Sequence, residues 1–129
     1  MPRTNVKLTH DEIEGVKRLI QGFRVFRAFV FDISERHLFP RIIRKIGLEP
    51  LVTIREASPR RPRVYAILLD DRPCLNECRY NCREHEGLER SQCMRKCTKE
   101  CLNKRLEYLI EILVKVLEQN TIENTGKEE

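Results

Sequence analysis

The cysteines are the residues of this chain whose type and spacing most directly could do chemistry. All six lie between residues 74 and 101, in two runs of three on either side of Gly87, and neighbours within a run are four residues apart. Thiols can ligate a metal, exchange electrons or form disulfides. Because residues four apart share one helical face, each run predicts a stripe of sulfur along a helix.

Disulfides are the favoured interpretation of these stripes. If the two helices fold back at Gly87, the stripes face each other antiparallel and three pairs close in one register. The pairs are Cys74 with Cys101, Cys78 with Cys97, and Cys82 with Cys93. A disulfide needs Cα atoms within about 7 Å, closer than the roughly 8 to 10 Å of ordinary helix packing. The hairpin must therefore pack tightly.

Zinc and reduced thiols are the alternatives. Two CxxxC pairs could supply four thiolates, and His85 near Cys82 offers a further ligand. Structural zinc sites commonly use CxxC, however, and four ligands would leave cysteines over. The spacing also differs from the common iron–sulfur patterns. We therefore expect a structural role for the cysteines, with no metal and no cofactor.

No other group of residues predicts catalysis. His10, His37 and His85 are dispersed, and the chain has no nucleophile elbow, phosphate-binding loop or dinucleotide fingerprint. CxxxC also lacks the CxxC geometry and the βαβ surroundings of thiol–disulfide oxidoreductases. The sequence therefore predicts that the protein is not an enzyme and takes no small-molecule substrate.

Charge and composition favour a polyanionic partner. The 129 residues carry a net charge of +5, and 35% of them are charged. This balance favours polyanions such as nucleic acid, although it also occurs in proteins that bind no nucleic acid. No apolar run is long enough to span a membrane, and the N-terminal stretch lacks a signal-peptide core. We therefore expect an intracellular protein without a membrane partner. Disulfides inside cells are typical of hyperthermophiles.

The N-terminal third predicts one long helix over residues 9–30. Thr9 and Glu12 form the sequence signature of a capping box, and apolar residues then recur near helical spacing. The segment from Phe23 to Phe31 is rich in Phe and Val, which are common in strands, but its arginines recur at helical intervals. We therefore assign this segment to the helix and its phenylalanines to the core.

Two short helices and a β-hairpin are predicted next. A serine can cap a helix over residues 34–39, and a proline suits the first position of a helix over residues 40–46, which Gly47 ends. Within the second helix, spacing places the isoleucines toward the core. Alternating apolar and polar residues then predict a hairpin in which residues 51–56 pair with 63–69 around a basic tip.

Helices over residues 73–85 and 88–119 follow, with a polar, flexible tail over 121–129. After the last cysteine, apolar residues recur at intervals of four and three, a seam typical of coiled coils. The seam consists of Leu102, Leu106, Leu109, Leu113 and Val116. It can pack on the first helix of the same chain or on a second chain, and the additional apolar residues beside it favour a homodimer.

The predicted elements of residues 9–69 resemble those of the winged-helix DNA-binding family. The resemblance lies in SERHLFPRIIRKIGLEPLVTIREASPRRPRVYAILL, which reads as two short helices, a strand, a wing and a second strand. It implies a recognition helix over residues 40–46 in the major groove, and a wing on phosphates or in a minor groove. The implied DNA-binding residues are Arg41, Arg44, Lys45, Arg60, Arg61, Arg63, Ser34 and Arg36.

The sequence thus predicts an α+β fold, mainly α with one β-hairpin. A winged-helix-like domain over residues 1–71 precedes a disulfide-stapled antiparallel helical hairpin over residues 72–120. The predicted function is binding of double-stranded DNA by a dimeric regulator of transcription. In overall style the chain is similar to small proteins of hyperthermophilic archaea and their viruses, which implies the cytoplasm of such a cell. The alternative is a structural or protein-interaction module that uses the helical hairpin.

Overall fold

Seven regular elements and one short turn follow the chain in the computed structural model, which describes residues 2–128 and the side chains of residues 2–121. They are α1 (His10–Phe26), β1 (Ala28–Asp32), a 3₁₀ turn (Ile33–Glu35), α2 (Phe39–Ile46), β2 (Val52–Ser58), β3 (Arg61–Leu69), α3 (Arg72–Asn81) and α4 (Gly87–Glu128). Four helices and a three-stranded antiparallel sheet confirm the predicted α+β class for the described residues.

The first helix begins as predicted but ends early. Thr9 Oγ1 accepts the N–H of Glu12 at 3.3 Å, and Glu12 Oε1 accepts the N–H of Thr9 at 2.8 Å, which is the reciprocal capping box. α1 ends at Phe26 because Arg27 adopts the left-handed conformation, with φ of 60°. The prediction of a helix as far as residue 30 is therefore wrong.

Residues 28–32 form strand β1 instead. Phe29 and Phe31 are buried while Val30 between them is exposed, which is the alternation of a half-buried strand. The strand pairs antiparallel with residues 64–68 of β3. Phe29 and Phe31 therefore reach the core from a sheet rather than from the predicted helix. Phe26, at the end of α1, is 78% exposed, so its assignment to the core was wrong.

The predicted hairpin is confirmed and is longer than expected. β2 and β3 pair antiparallel from Val52 opposite Leu69 to Ser58 opposite Arg61, with an irregularity near the tip. β3 lies in the middle of the sheet, whose strand order is β1-β3-β2. β1 and β2 therefore both pair with the same central strand.

The predicted helix over residues 34–39 is reduced to the 3₁₀ turn, because β1 extends to Asp32 and leaves little chain before α2. Asp32 caps this turn in place of Ser34, and its Oδ2 accepts the N–H of Ser34 at 2.9 Å. α2 has a proline in its first turn and ends at Gly47, as predicted. Gly47 adopts a φ of 78°, which suits glycine.

One core lies between α1, α2, the sheet and the second half of α4. The core therefore draws on residues from both sides of the predicted boundary at residue 71. The first half of α4 lies outside this core and packs against α3. Fully buried members of the core include Leu19, Phe23, Phe39, Ile67 and Leu113.

Three disulfides join the α3 segment to α4 in the predicted register. Cys74 pairs with Cys101, Cys78 with Cys97, and Cys82 with Cys93, at Cα–Cα distances of 5.7, 5.7 and 5.9 Å. These bridges use all six sulfur atoms, so no cysteine is left as a zinc ligand or a reduced thiol. We call these three bridges the ladder.

The chain reverses at Gly87, as predicted, with a φ of 56° at that glycine. α3 is shorter than predicted, because it ends at Asn81 rather than residue 85. α4 continues to Glu128 and so includes most of the predicted tail over residues 121–129. Side chains from residue 122 onward lie outside the described part of the chain.

Candidate functional site

The cations of α2 lie on its side away from the core. Its three isoleucines are buried, as helical spacing predicts. Arg41 and Arg44 are exposed, and Lys45 is half-buried. Within residues 2–121, the Arg44 side chain forms no hydrogen bond or ion pair. Arg44 is therefore the α2 cation that is free to meet an external anion.

Arg41 and Lys45 pair with a buried carboxylate that the sequence did not identify as their partner. Arg41 Nε donates to Glu12 Oε2 at 2.9 Å, and Lys45 Nζ donates to Glu12 Oε1 at 2.7 Å. The Glu12 side chain is fully buried, whereas those of Arg41 and Lys45 are 46% and 35% exposed. Two cations around one carboxylate leave one uncompensated positive charge at the surface.

The Glu12 carboxylate is held in its ionised form. Burial by itself raises the pKa of Glu12, but hydrogen bonds from Lys45, the Thr9 backbone and Arg41 outweigh it and lower the pKa from 4.5 to about 2. The Glu12 carboxylate therefore stays charged at neutral pH and joins the first turn of α1 to α2.

The hairpin tip carries the most accessible cations of the predicted site. Arg60, Arg61 and Arg63 are exposed, and none of them forms an ion pair with another residue whose side chain the structure describes. The Arg60 N–H donates to Ser58 Oγ at 3.2 Å, which shapes the turn. Two prolines at the tip further restrict the backbone. Three like charges on a projecting hairpin favour contact with phosphate.

The two remaining predicted DNA contacts, Ser34 and Arg36, differ because Asp32 lies beside Ser34. The hydrogen bond from the Ser34 backbone, with a smaller contribution from the charge of Arg63, lowers the pKa of Asp32. A phosphate at Ser34 would therefore meet an ionised carboxylate. Arg36 is exposed, and its Nε donates to the neighbouring His37 Nε2 at 3.4 Å. Arg36 is thus better placed than Ser34 to contact a phosphate.

The predicted dimer seam packs largely within its own chain. Leu109, Leu113 and Val116 are fully buried in the core shared with α1, and Leu106 packs against that core. These four residues follow the same-chain alternative of the sequence prediction. Homodimerisation stays a prediction, and it would need surface other than these buried side chains.

A groove that the sequence did not predict runs between β3, α3 and the first half of α4. Its volume is about 900 Å³. Apolar side chains form its floor, and charged side chains form its rim. The floor consists of Leu68, Leu69, Leu75, Met94 and Leu102. The rim consists of Arg27, Asp71, Arg90, Arg95 and Lys99.

One sequence signal could have indicated this groove. Met94, Thr98 and Leu102 each follow a ladder cysteine of α4, so they form a second stripe beside the sulfur stripe. All three line the groove. The other walls come from elements that are distant in sequence, so the concave shape itself has no local signal.

The described residues contain no group of three or more His, Cys, Asp or Glu side chains arranged to hold a metal ion. In the same part of the chain, no helix combines the length and the hydropathy that a membrane span requires. The molecule thus has two candidate surfaces. One is the arginine-rich surface of the hairpin tip and α2, and the other is the groove with an apolar floor.

The chain matches no protein-family model, no curated protein and no solved structure. Its function is therefore argued from these two surfaces.

Proposed function

We propose that the protein binds double-stranded DNA through its hairpin tip and the exposed side of α2, in the manner of winged-helix regulators. The observation that carries this proposal is the set of exposed arginines at the tip, Arg60, Arg61 and Arg63. The element order supports it, because a helix, a strand, a short turn, a helix and a hairpin, with β1 beside β3, is similar to the winged-helix arrangement.

The contacts differ in kind. The tip arginines contact phosphates or enter a minor groove, which suits their planar, weakly hydrated side chains. Arg44 offers a full charge from α2, whereas Arg41 and Lys45 share theirs with Glu12. Binding of this kind depends mainly on the DNA backbone and therefore weakens steeply with salt. A homodimer would present two such surfaces to paired half-sites, as dimeric regulators of transcription do.

The test is fluorescence anisotropy of a labelled duplex of about 20 base pairs at several salt concentrations. The triple variant Arg60→Ala, Arg61→Ala, Arg63→Ala removes three phosphate contacts. We expect the slope of log K against log salt to fall in magnitude by roughly 2 to 3.

The matched control removes the same charge elsewhere. Arg79, Lys96 and Lys104 are exposed on α3 and α4, and their triple replacement by alanine should change affinity by no more than about twofold. Absence of duplex binding at about 50 mM salt would contradict the proposal. So would an equal loss of affinity in the two triple variants.

A second candidate function is protein interaction through the helical hairpin. The observation that favours it is the groove on α4, whose floor is apolar and whose rim is basic. Concave apolar surfaces of this size are typical of binding sites.

A further inference from the structure

We propose that the groove between β3, α3 and α4 binds an amphipathic helix whose polar side is acidic, supplied by a partner protein. The inference goes beyond DNA binding, because it concerns a different surface and a different class of partner. Three properties of the groove support it: the apolar floor, the charge of the rim and the length along α4.

The floor offers apolar contact from three elements. Leu68 and Leu69 come from β3, Leu75 from α3, and Met94 and Leu102 from α4. All five are half-buried, so each retains apolar surface that a ligand could cover. Methionine adapts its shape readily, and it is common on surfaces that accept apolar helices. A charged phosphate backbone would gain no stabilisation from contact with such an apolar floor.

The rim selects the charge of the partner. Arg90, Arg95 and Lys99 are exposed along α4, and in the described part of the chain their side chains form no hydrogen bond or ion pair. Arg27 adds a fourth cation from the other side, against a single carboxylate, that of Asp71. This excess of positive charge favours glutamate and aspartate on the flanks of an apolar ligand.

The length of the groove suits a helix. Its α4 wall extends from Arg90 to Leu102, which corresponds to about 18 Å, or about three helical turns. The groove is also open to solvent along one side. Helix-in-groove recognition uses apolar anchors at i, i+3 or i+4, and i+7, which span about 10 Å and therefore fit within this length.

A second copy of this chain is a poorer occupant on grounds of charge. The most exposed apolar residues near the sheet are Val25, Phe26 and Val30, at 60%, 78% and 55%. Arg24 and Arg27 flank Val25 and Phe26 in the sequence. Docking this patch into the groove of another copy would bring like charges together.

The ladder fixes one wall of the groove. Leu75 follows Cys74 directly in α3, and Met94 and Leu102 follow Cys93 and Cys101 in α4. The disulfides therefore set the distance between the floor residues of the two helices. A preformed groove lowers the ordering cost of binding.

The test uses a labelled synthetic peptide of about 18 residues, with leucines at i, i+3 and i+7 and glutamates on both flanks. Anisotropy titration of the full chain measures its affinity. There are two control peptides. One has the same residues in scrambled order, and the other has lysine in place of every glutamate. We expect the acidic amphipathic peptide to bind at least about tenfold more tightly than either control.

Variants on α4 locate the site. Arg95→Glu with Lys99→Glu reverses two charges of the rim, and Met94→Glu places a charge on the floor. Each should weaken peptide binding by about tenfold or more. The matched control, Lys96→Glu with Lys104→Glu, makes the same charge change on exposed residues of α4 outside the groove lining. It should alter binding by no more than about twofold.

Several outcomes would overturn the inference. One is that the scrambled peptide binds as tightly as the acidic amphipathic peptide. Another is that the Lys96/Lys104 variant loses as much peptide affinity as the Arg95/Lys99 variant. A third is self-association that Arg95→Glu with Lys99→Glu abolishes, since a second copy would then be the occupant. The DNA-binding proposal is tested independently of the peptide-binding proposal. The hairpin-tip triple variant should keep its peptide affinity, and the Arg95/Lys99 variant should still show the salt-dependent DNA contacts of the tip.

Discussion

Glu12 joins two helices through a single carboxylate. It accepts the N–H of Thr9 at the start of α1 and pairs with Arg41 and Lys45 of α2. Its side chain is fully buried in the folded protein, beneath those of Arg41 and Lys45. The Glu12 carboxylate therefore helps to fix the position of α2, together with the buried isoleucines of that helix, and with it the direction in which Arg44 projects.

Acidification should remove this support. Because the pKa of Glu12 is about 2 in the folded protein against an ordinary 4.5, the stabilisation is complete above 4.5 and is lost as the pH falls toward 2. We expect Glu12→Gln to lower the free energy of unfolding by about 2 kcal/mol at about pH 7. The difference between parent and variant, measured by urea denaturation, should vanish near the low end of that range.

Glu14→Gln is the control, because Glu14 lies in the same helix but is exposed and pairs with the exposed Lys17 at 3.0 Å. Its effect should stay below about 0.5 kcal/mol. If Glu12→Gln has the same effect at every pH, the carboxylate does not act through its charge.

The sequence identified Glu12 as a helix cap and no more. Its capping partner, Thr9, is three residues away, so local spacing is sufficient to predict that role. Its cationic partners lie 29 and 33 residues away on another helix. Contacts of that kind depend on how helices pack, which no local pattern contains.

Among the elements, α3 depends most on the ladder. Its buried residues are Cys74 and Cys78, so its packing is largely that of the disulfides themselves. Reduction should therefore release α3 while the core around α1 stays folded. A disulfide that closes a short loop contributes roughly 3 kcal/mol to stability through the lost chain entropy of the unfolded state.

Hydrogen exchange followed by mass spectrometry checks this expectation. After reduction, amides of residues 72–81 should exchange roughly a hundredfold faster, while those of α1 keep their protection. Cys82→Ser with Cys93→Ser, which leaves two bridges, should keep α3 protected. Loss of protection in α1 at the same rate would show that the ladder supports the whole fold.

The elements also show where periodicity succeeds and fails. The two cysteine stripes predicted three disulfides in the correct register, because both helices and the reversal at Gly87 are local features. β1 was predicted as helix, because α1 stops at Arg27, a residue that gives no stop signal of the kind glycine gives. Its strand identity depends on β3, more than thirty residues away.

At the scale of the whole molecule, α4 links the ladder, the groove and the core. Leu113 lies in the core and is fully buried, so Leu113→Ala should lower the free energy of unfolding by about 3 kcal/mol. The loss should be the same at all protein concentrations, because the contacts are within one chain. Urea denaturation over a wide concentration range measures both quantities.

Leu102→Ala provides the comparison on the same helix. Leu102 is half-buried in the groove, outside the core, so its truncation should cost less than about 1 kcal/mol. A parent midpoint that rises with concentration, and no longer rises in Leu113→Ala, would show instead that the seam serves a dimer.

Arg27 is a position at which the backbone conformation and the side-chain contacts favour different residues. Its left-handed backbone would suit glycine, yet its side chain reaches Asn103 on α4 and completes the rim of the groove. The hydrogen bond to Asn103 connects the end of α1 to α4 and so offsets part of the cost of this backbone conformation. Arg27→Gly would relieve the backbone cost but would remove both this hydrogen bond and one cation of the rim.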